Sequence, residues 1–382
     1  MSQAAEITVQ LISSFNEIAP AAWDALSDGM PLISHAFFSA LENSGSVGRG
    51  TGWMPQPLIV KQGEQLIGAM PLFLKTNSYG EYVFDWAWAD AYNRSGLDYY
   101  PKLLSAIPFS PITSARMLAH TDVTKRAMIA ALEAVMKQHK LSSAHVLFPN
   151  EVDASHFEAA GWLRRVGVQF RWHNKNYADF EDFLKTLSHD KRKKIHQERK
   201  KIVAAGVVCQ TIKGIDATES DWDFFYQCYY NTYQEHRSTP YLTRAFFSEI
   251  TKTMPQNIVL FFAKINGKPI ASTLNIVNKT TLYGRYWGAT QFVSALHFEL
   301  CYYQAQQFCI DEKIEYFEGG AQGEHKLARG FEPRPTCSYH KIAHADFEVA
   351  IRDFLLRESA GIAAYTEELE ERVPFKQVKN CF

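Results

Sequence analysis

No window of this sequence approaches the roughly 18 consecutive apolar residues that a membrane-crossing helix needs. The opening MSQAAEITVQLISSFNEI has no basic segment followed by an apolar one. Both absences point to a cytoplasmic chain without a membrane span. Charge of one sign is also missing: 40 Lys and Arg against 41 Asp and Glu leave a net −1. No global field therefore draws the chain to nucleic acid or lipid, and any anion site must be local. Cysteine is sparse and unpatterned. Cys209, Cys228, Cys301, Cys309, Cys337 and Cys381 form no C-x-x-C and no zinc-like spacing, which argues against a disulfide scaffold and for a reducing compartment.

What the chain does have is length and aromatic rings. Its 382 residues suit two domains of roughly 150–200 residues each better than one. With 46% hydrophobic and 21% charged residues it is globular, and at 14% aromatics it is rich in rings for a core or a cleft.

An internal repeat organises the two halves. KQGEQLIGAMPLFLKTNSYGEYVFDWAWADA starts at Lys61, and KINGKPIASTLNIVNKTTLYGRYWGAT starts 203 positions later at Lys264. Each reads as strand, tight turn, strand, polar turn and aromatic strand. Asn266-Gly267 is a hairpin signal, because a type I′ turn needs positive φ at both central residues. A helix follows in each half, about Val123–Lys140 and about Ala295–Asp311. Then come a strand (AHVLFP, IEYFEG), a short helix ending in Gly plus an aromatic (HFEAAGW, HKLARGF) and a last strand (VGVQFRWHN, TCSYHKI). The expected fold class is α/β (α+β), with mixed, mostly antiparallel sheets flanked by helices in two tandem domains, 1–172 and 173–382.

This order resembles tandem GNAT-type acyltransferases, and four stretches make the resemblance specific. They are HAFFSALENSGSVGRGTGWMPQPL from His35, YYPKLLSAIPFSPIT from Tyr99, YGRYWGATQFVSALHFELCYYQAQQFCI from Tyr283, and FEGGAQGEHKLARGFEP from Phe317. Together they resemble a bacterial FemAB-like family of N-acyltransferases, related in architecture to peptidoglycan-bridge aminoacyltransferases. The resemblance implies transfer of an acyl or aminoacyl group to an amine of a small molecule or cell-envelope precursor. It implies no tightly bound cofactor, with acyl-coenzyme A or aminoacyl-tRNA as the activated donor. Two departures bear on that donor. The turn before the second-half helix keeps only Gly288, where GNAT enzymes cradle a pyrophosphate on a Gly-rich turn. GEHKLARGF also lacks the tyrosine acid that GNAT enzymes often place there.

The Glu324-His325-Lys326 triplet follows the carboxyl end of a strand, where such sheets place ligands. Acyl transfer to an amine needs a base and an oxyanion donor. His325 or Glu324 is the candidate base, and Lys326 the candidate oxyanion or phosphate partner. Arg329, three residues on, would make an anion clamp with Lys326. A solvated charged turn is the competing reading, but the first-half counterpart DASHFEAAGW lacks the triplet. In LYGRYWG, alternation puts Arg285 and Trp287 on one face and Tyr286 with Gly284 and Gly288 on the other. Arg285, Tyr286 and Trp287 are candidate substrate contacts, the alternative being packing and an ion pair. Glu299, flanked by Tyr303, is either a desolvated base or a helix-dipole carboxylate. His297 lies about 200° from Glu299 on the helical wheel, so the two form no dyad.

LKTLSHDKRKKIHQERKKIVAAG carries eight Lys or Arg against two acids between Lys185 and Lys201. Lys191, Arg192, Lys193 and Lys194 are its candidate anion-binding residues. A polyanion such as tRNA would suit them, and a solvated helix face is the alternative. A non-catalytic nucleic-acid-binding protein centred on this helix is the rival function. The Pro-rich YYPKLLSAIPFSPIT reads as an ordered loop lining a cleft through Tyr99, Tyr100 and Lys102. His340 and His344, joined by His325 or Glu318, lack the tight spacing of zinc ligands, and no metal is expected.

Overall fold

Asn266 and Gly267 adopt φ of 50° and 75°, and this tight turn joins two long antiparallel strands, as its sequence predicts. The computed structural model describes residues 6–320, 323–372 and 374–375. It separates into two units. One takes the chain up to Gly167 with Pro335–Ala363, and the other takes Val168–Arg334 with the chain from Ala364 onward.

The strands, in chain order, are β1 (Ile7–Leu11), β2 (Trp53–Pro55), β3 (Leu58–Gln62), β4 (Gln65–Met70), β5 (Phe73–Lys75), β6 (Lys102–Ser105), β7 (Leu118–Ala119) and β8 (Ser143–Leu147). There follow β9 (Leu163–His173), β10 (Val207–Lys213), β11 (Ile258–Ile265), β12 (Lys268–Val277), β13 (Thr281–Ala289), β14 (Tyr316–Glu318) and β15 (Glu332–Ile342).

The second unit is a sheet of order β10-β11-β12-β13-β14-β9, antiparallel throughout except for the parallel pair β13–β14. Strand β11, IVLFFAKI, is buried at six consecutive positions, as a strand covered on both faces must be. Phe262 meets Phe224 of the helix Glu219–Glu235, while Phe261 meets Phe308 of the helix that crosses from β13 to β14. The basic segment is two helices, Phe180–Thr186 and His189–Ala204, parted at Leu187 and Ser188. Ile195 and Ile202 anchor the second in the core.

The first unit holds a sheet β1-β3-β4-β7 and a set of strands in which the end of β15 pairs β8, β8 pairs β6, β6 pairs β5 and β5 pairs β2. The helix Asp122–Gln138 packs Met128, Ile129 and Leu132 into the core with Leu58, Val60 and Met70. Here the repeat diverges from the sequence reading. The expected aromatic strand is a helix, Trp86–Arg94, whose Trp88 and Tyr92 share one buried face at a spacing of four. A second difference is that residues 335–363 belong to the first unit, where Ile342, Ile351 and Leu355 complete a cluster with Trp88, Tyr92 and Tyr99.

Candidate active site

Strand β14 pairs β13 only from Thr281–Tyr316 to Tyr283–Glu318. Beyond that register β13 runs on to Ala289 along β12 alone. A cavity of about 150 Å³ lies where β14 stops, lined by Gly284, Arg285, Tyr286 and Trp287 of β13. Phe317 and Gly319 close the strand end, and His297, Cys301 and Tyr302 come from the crossing helix. Trp287 and His297 also line a second cavity of about 510 Å³ at the start of that helix.

The crossing helix is not a plain α-helix. It starts as α over Leu296–Phe298, widens to a π turn over Glu299–Tyr303 and resumes as α over Gln304–Asp311. Such a bulge rotates the side chains that follow it and recurs at functional sites. Here Tyr302 is turned to the cavity, and its hydroxyl lies 2.8 Å from Nε2 of His325. Burial raises the Tyr302 pKa, so the phenol keeps its proton. His325 is exposed, yet its pKa is lowered by partial desolvation and by the Arg329 and Lys326 charges, which favours the neutral ring. His297, packed 5.1 Å from the Trp287 ring, is pushed down to about 4 by burial and by its charged neighbours.

Lys326 is 3% exposed and donates to the Gly320 carbonyl at 3.1 Å. Its stem lies against Gly319, a wall of the smaller cavity, where an added Cβ would stand 3.3 Å from the lysine chain and 2.7 Å from the Phe331 ring. Burial lowers its pKa to about 8, so an appreciable neutral fraction exists near pH 8.

The triplet therefore disperses. Glu324 is exposed and bound to Arg372 at 2.9 Å and Tyr365 at 3.2 Å, away from the cavity. Arg329 makes no clamp with Lys326, because it is 2% exposed and one of its terminal nitrogens donates to both Glu198 oxygens at 2.9 and 3.0 Å. It also stacks 3.5 Å from the Phe298 ring centroid. Tyr303 donates to the same Glu198 carboxylate and is fully buried. Glu299 is buried against Arg199 at 3.2 Å and Gln304 at 2.8 Å. It lines neither cavity, and its Oε1 is held by Arg199 and Gln304.

On β13 a bulge breaks the alternation at Arg285. Its guanidinium sits 5.1 Å from the Tyr286 ring, so Arg285 does not simply share the face of Trp287. Gly288 is a packing residue, since a Cβ there would lie 2.0 Å from the Cys228 carbonyl oxygen. On the basic helix Lys193 and Lys194 are exposed, and Lys191 and Arg192 are half-buried.

In the first unit Lys102 lines no cleft. It is completely buried, bound to Ser78 at 2.8 Å, Glu81 at 2.9 Å and Asp85. Burial alone would lower its pKa, but the two carboxylates raise it. Tyr99 is buried on Asp85, and Tyr100 is half-buried with its hydroxyl on Ser78. His340 pairs its Nδ1 with Nδ1 of His145 at 2.6 Å.

The family model for FemAB-like proteins, described as peptidoglycan biosynthesis/recognition, matches residues 14–377. The chain belongs to the FemAB-like family. Among solved structures, FemX superposes at a TM-score of 0.55 and 10% identity, covering 88% of this chain and 98% of FemX. A conserved protein of unknown function from Bacteroides thetaiotaomicron superposes at 0.52 and 12%, covering 88% and 100%. A tandem GNAT protein from the clavulanic acid biosynthesis pathway matches at 0.47 and 13%, covering 89% and 99%. No curated protein matches the sequence significantly. The FemAB-like chain is thus a transferase with the GNAT-type fold the repeat predicts.

Sequence reasoning about this FemAB-like chain named neither Tyr302, one buried aromatic among many, nor Glu198, hidden among cations, as a site residue. The only available signal for Tyr302 was the aromatic pair Tyr302-Tyr303 beside Glu299. A π turn leaves no mark in propensity or period.

Proposed function

We propose that this FemAB-like transferase moves an aminoacyl group from an activated ester onto an amine of a peptidoglycan precursor, with bond exchange at the smaller cavity. The observation that carries this reading is the Tyr302–His325 pair, a phenol on the cavity wall hydrogen-bonded at 2.8 Å to a ring that reaches solvent. Tyr302 supplies the acid missing from the GEHKLARGF turn, but from the preceding helix.

In the proposed cycle the acceptor amine attacks the acyl carbon, and the Lys326 ammonium steadies the oxyanion. The acyl–oxygen bond breaks as Tyr302 protonates the leaving hydroxyl. The proton lost by the amine is taken by neutral His325 and returned to Tyr302, which closes the balance. An ester donor is favoured over coenzyme A by the larger cavity. It lies where GNAT enzymes hold a pyrophosphate, yet its lining has no Lys or Arg and includes Glu235.

The test is single-turnover transfer to an amine-bearing peptidoglycan precursor, offered mixed aminoacyl-tRNA or acyl-coenzyme A. Product is expected from aminoacyl-tRNA alone. Tyr302→Phe should lower the rate by about 10²-fold or more. A wild-type rate in both Tyr302→Phe and His325→Ala would remove the proton path from the mechanism.

A further inference from the structure

Two neighbours on the basic helix His189–Ala204 each reach a buried partner of opposite charge on a different element. Glu198, 8% exposed, accepts on both oxygens from one nitrogen of Arg329, on the turn that carries His325 and Lys326. Arg199 takes Glu299 on the π turn that carries Tyr302. The Glu198 carboxylate also accepts from Tyr303. Arg329, held this way, donates to the His325 carbonyl at 2.8 Å, while Gln306 donates to the Arg329 carbonyl at 2.7 Å. The backbone before Lys326 is therefore held by one guanidinium, which is itself fixed by one carboxylate, and the backbone after it is held by Gln306.

We propose that Glu198 is a positioning residue for the His325–Tyr302 pair, acting through Arg329. It lines neither cavity, and its carboxylate is taken up by Arg329 and Tyr303. Its work is to hold the turn and to neutralise the guanidinium beside the imidazole. Breaking a buried pair by removing one partner leaves the other charge uncompensated. Here that charge would be Arg329, and it would act on His325. The groups facing His325 are His297 and Tyr302 from the crossing helix, and Glu324, Lys326 and Arg329 from its own turn. Arg329 has a buried carboxylate of its own, so Glu198 sets how much of its field reaches the imidazole. The π turn makes the arrangement consistent, because it presents Tyr303 to Glu198 while Tyr302 faces the cavity.

The proposal rests on the proton path argued above for its link to rate, but its primary readout does not. In Glu198→Gln the His325 ring, followed by NMR titration without substrate, should titrate at lower pH than in the wild type. Glu198→Asp should restore part of the difference. Once transfer is assayed, Glu198→Gln should lower kcat by about tenfold or more with KM for the donor within about twofold, as expected for misplacement rather than lost binding. An unchanged His325 titration together with an unchanged kcat overturns the proposal. So does a kcat loss that Glu198→Asp leaves unrelieved while His325 titrates normally, since that marks a purely structural carboxylate. If Glu198→Gln does not fold, Glu198→Asp, whose shorter carboxylate pairs Arg329 less closely, is read in its place, with a smaller shift in the same direction. A shifted titration with wild-type rates in Tyr302→Phe and His325→Ala keeps the positioning role and discards the proton path.

Discussion

Lys326 is held in two environments that pull against each other. Its stem lies against Gly319, while its ammonium sits 5.5 Å from the Phe170 ring centroid and donates to the Gly320 carbonyl. Its folded pKa, about 8 against an ordinary 10.5, means that the folded state binds fewer protons than the unfolded chain between those values. Stability should therefore rise with pH across that window, and the full penalty, on the order of 3 kcal/mol, applies below pH 8. Lys326→Met is expected to be more stable than wild type at pH 7 by a sizeable part of that figure. The advantage should shrink above pH 8, as read by urea unfolding at several pH values. The same variant should lose transfer, which would mark the lysine as kept for chemistry rather than for the fold. Activity should follow a bell. The acid limb falls as His325 gains a proton below its usual 6.5, and the alkaline limb falls as Lys326 loses one near pH 8. A rate that keeps rising through pH 9 would mean that the neutral amine is the working form.

At the scale of the element, β13 shows what a sequence conveys and what it withholds. Its strand character, its hairpin partner β12 and the glycines within it are all legible in LYGRYWG. The bulge at Arg285 is not, because a one-residue slip against β12 depends on partner geometry and not on local propensity. The meaning of the glycines also had to wait for packing. Gly288→Ala drives a methyl to 2.0 Å from the backbone oxygen of Cys228, so it should cost about 3 kcal/mol. Gly284→Ala meets only the Phe317 ring at 3.2 Å and should cost about 1. Urea midpoints of the two variants measure the difference. The π turn at Glu299–Tyr303 is the other hidden element. It turns Tyr302 to the cavity and Tyr303 to Glu198, a division that a regular wheel does not show. The triplet Glu324-His325-Lys326 was legible as an oddity of composition, yet its dispersal to Arg372, Tyr302 and the cavity wall follows from long-range partners that no short window contains.

For the whole molecule, the repeat conveyed two units, while the contiguous division at 172 and 173 omits what completes the first. Residues 335–363 bring it Ser338–Ile342 as the partner of β8, and His340 for His145. They also bring Ile342, Ile351 and Leu355 for the cluster around Trp88. A fragment ending at residue 172 would leave β8 with one open edge and that cluster half-covered. His145, whose pKa burial holds down to about 3, would lose its buried partner. Such a fragment is expected to unfold without a cooperative transition and to bind a hydrophobic dye. The same fragment with residues 335–363 joined by a flexible Gly/Ser linker should regain a sigmoidal urea transition, because the partners of that segment, β8 and the cluster around Trp88, lie in the same unit. Equal cooperativity in both fragments would show that the contiguous half folds alone, and that the returning segment adds to its core without being required for it.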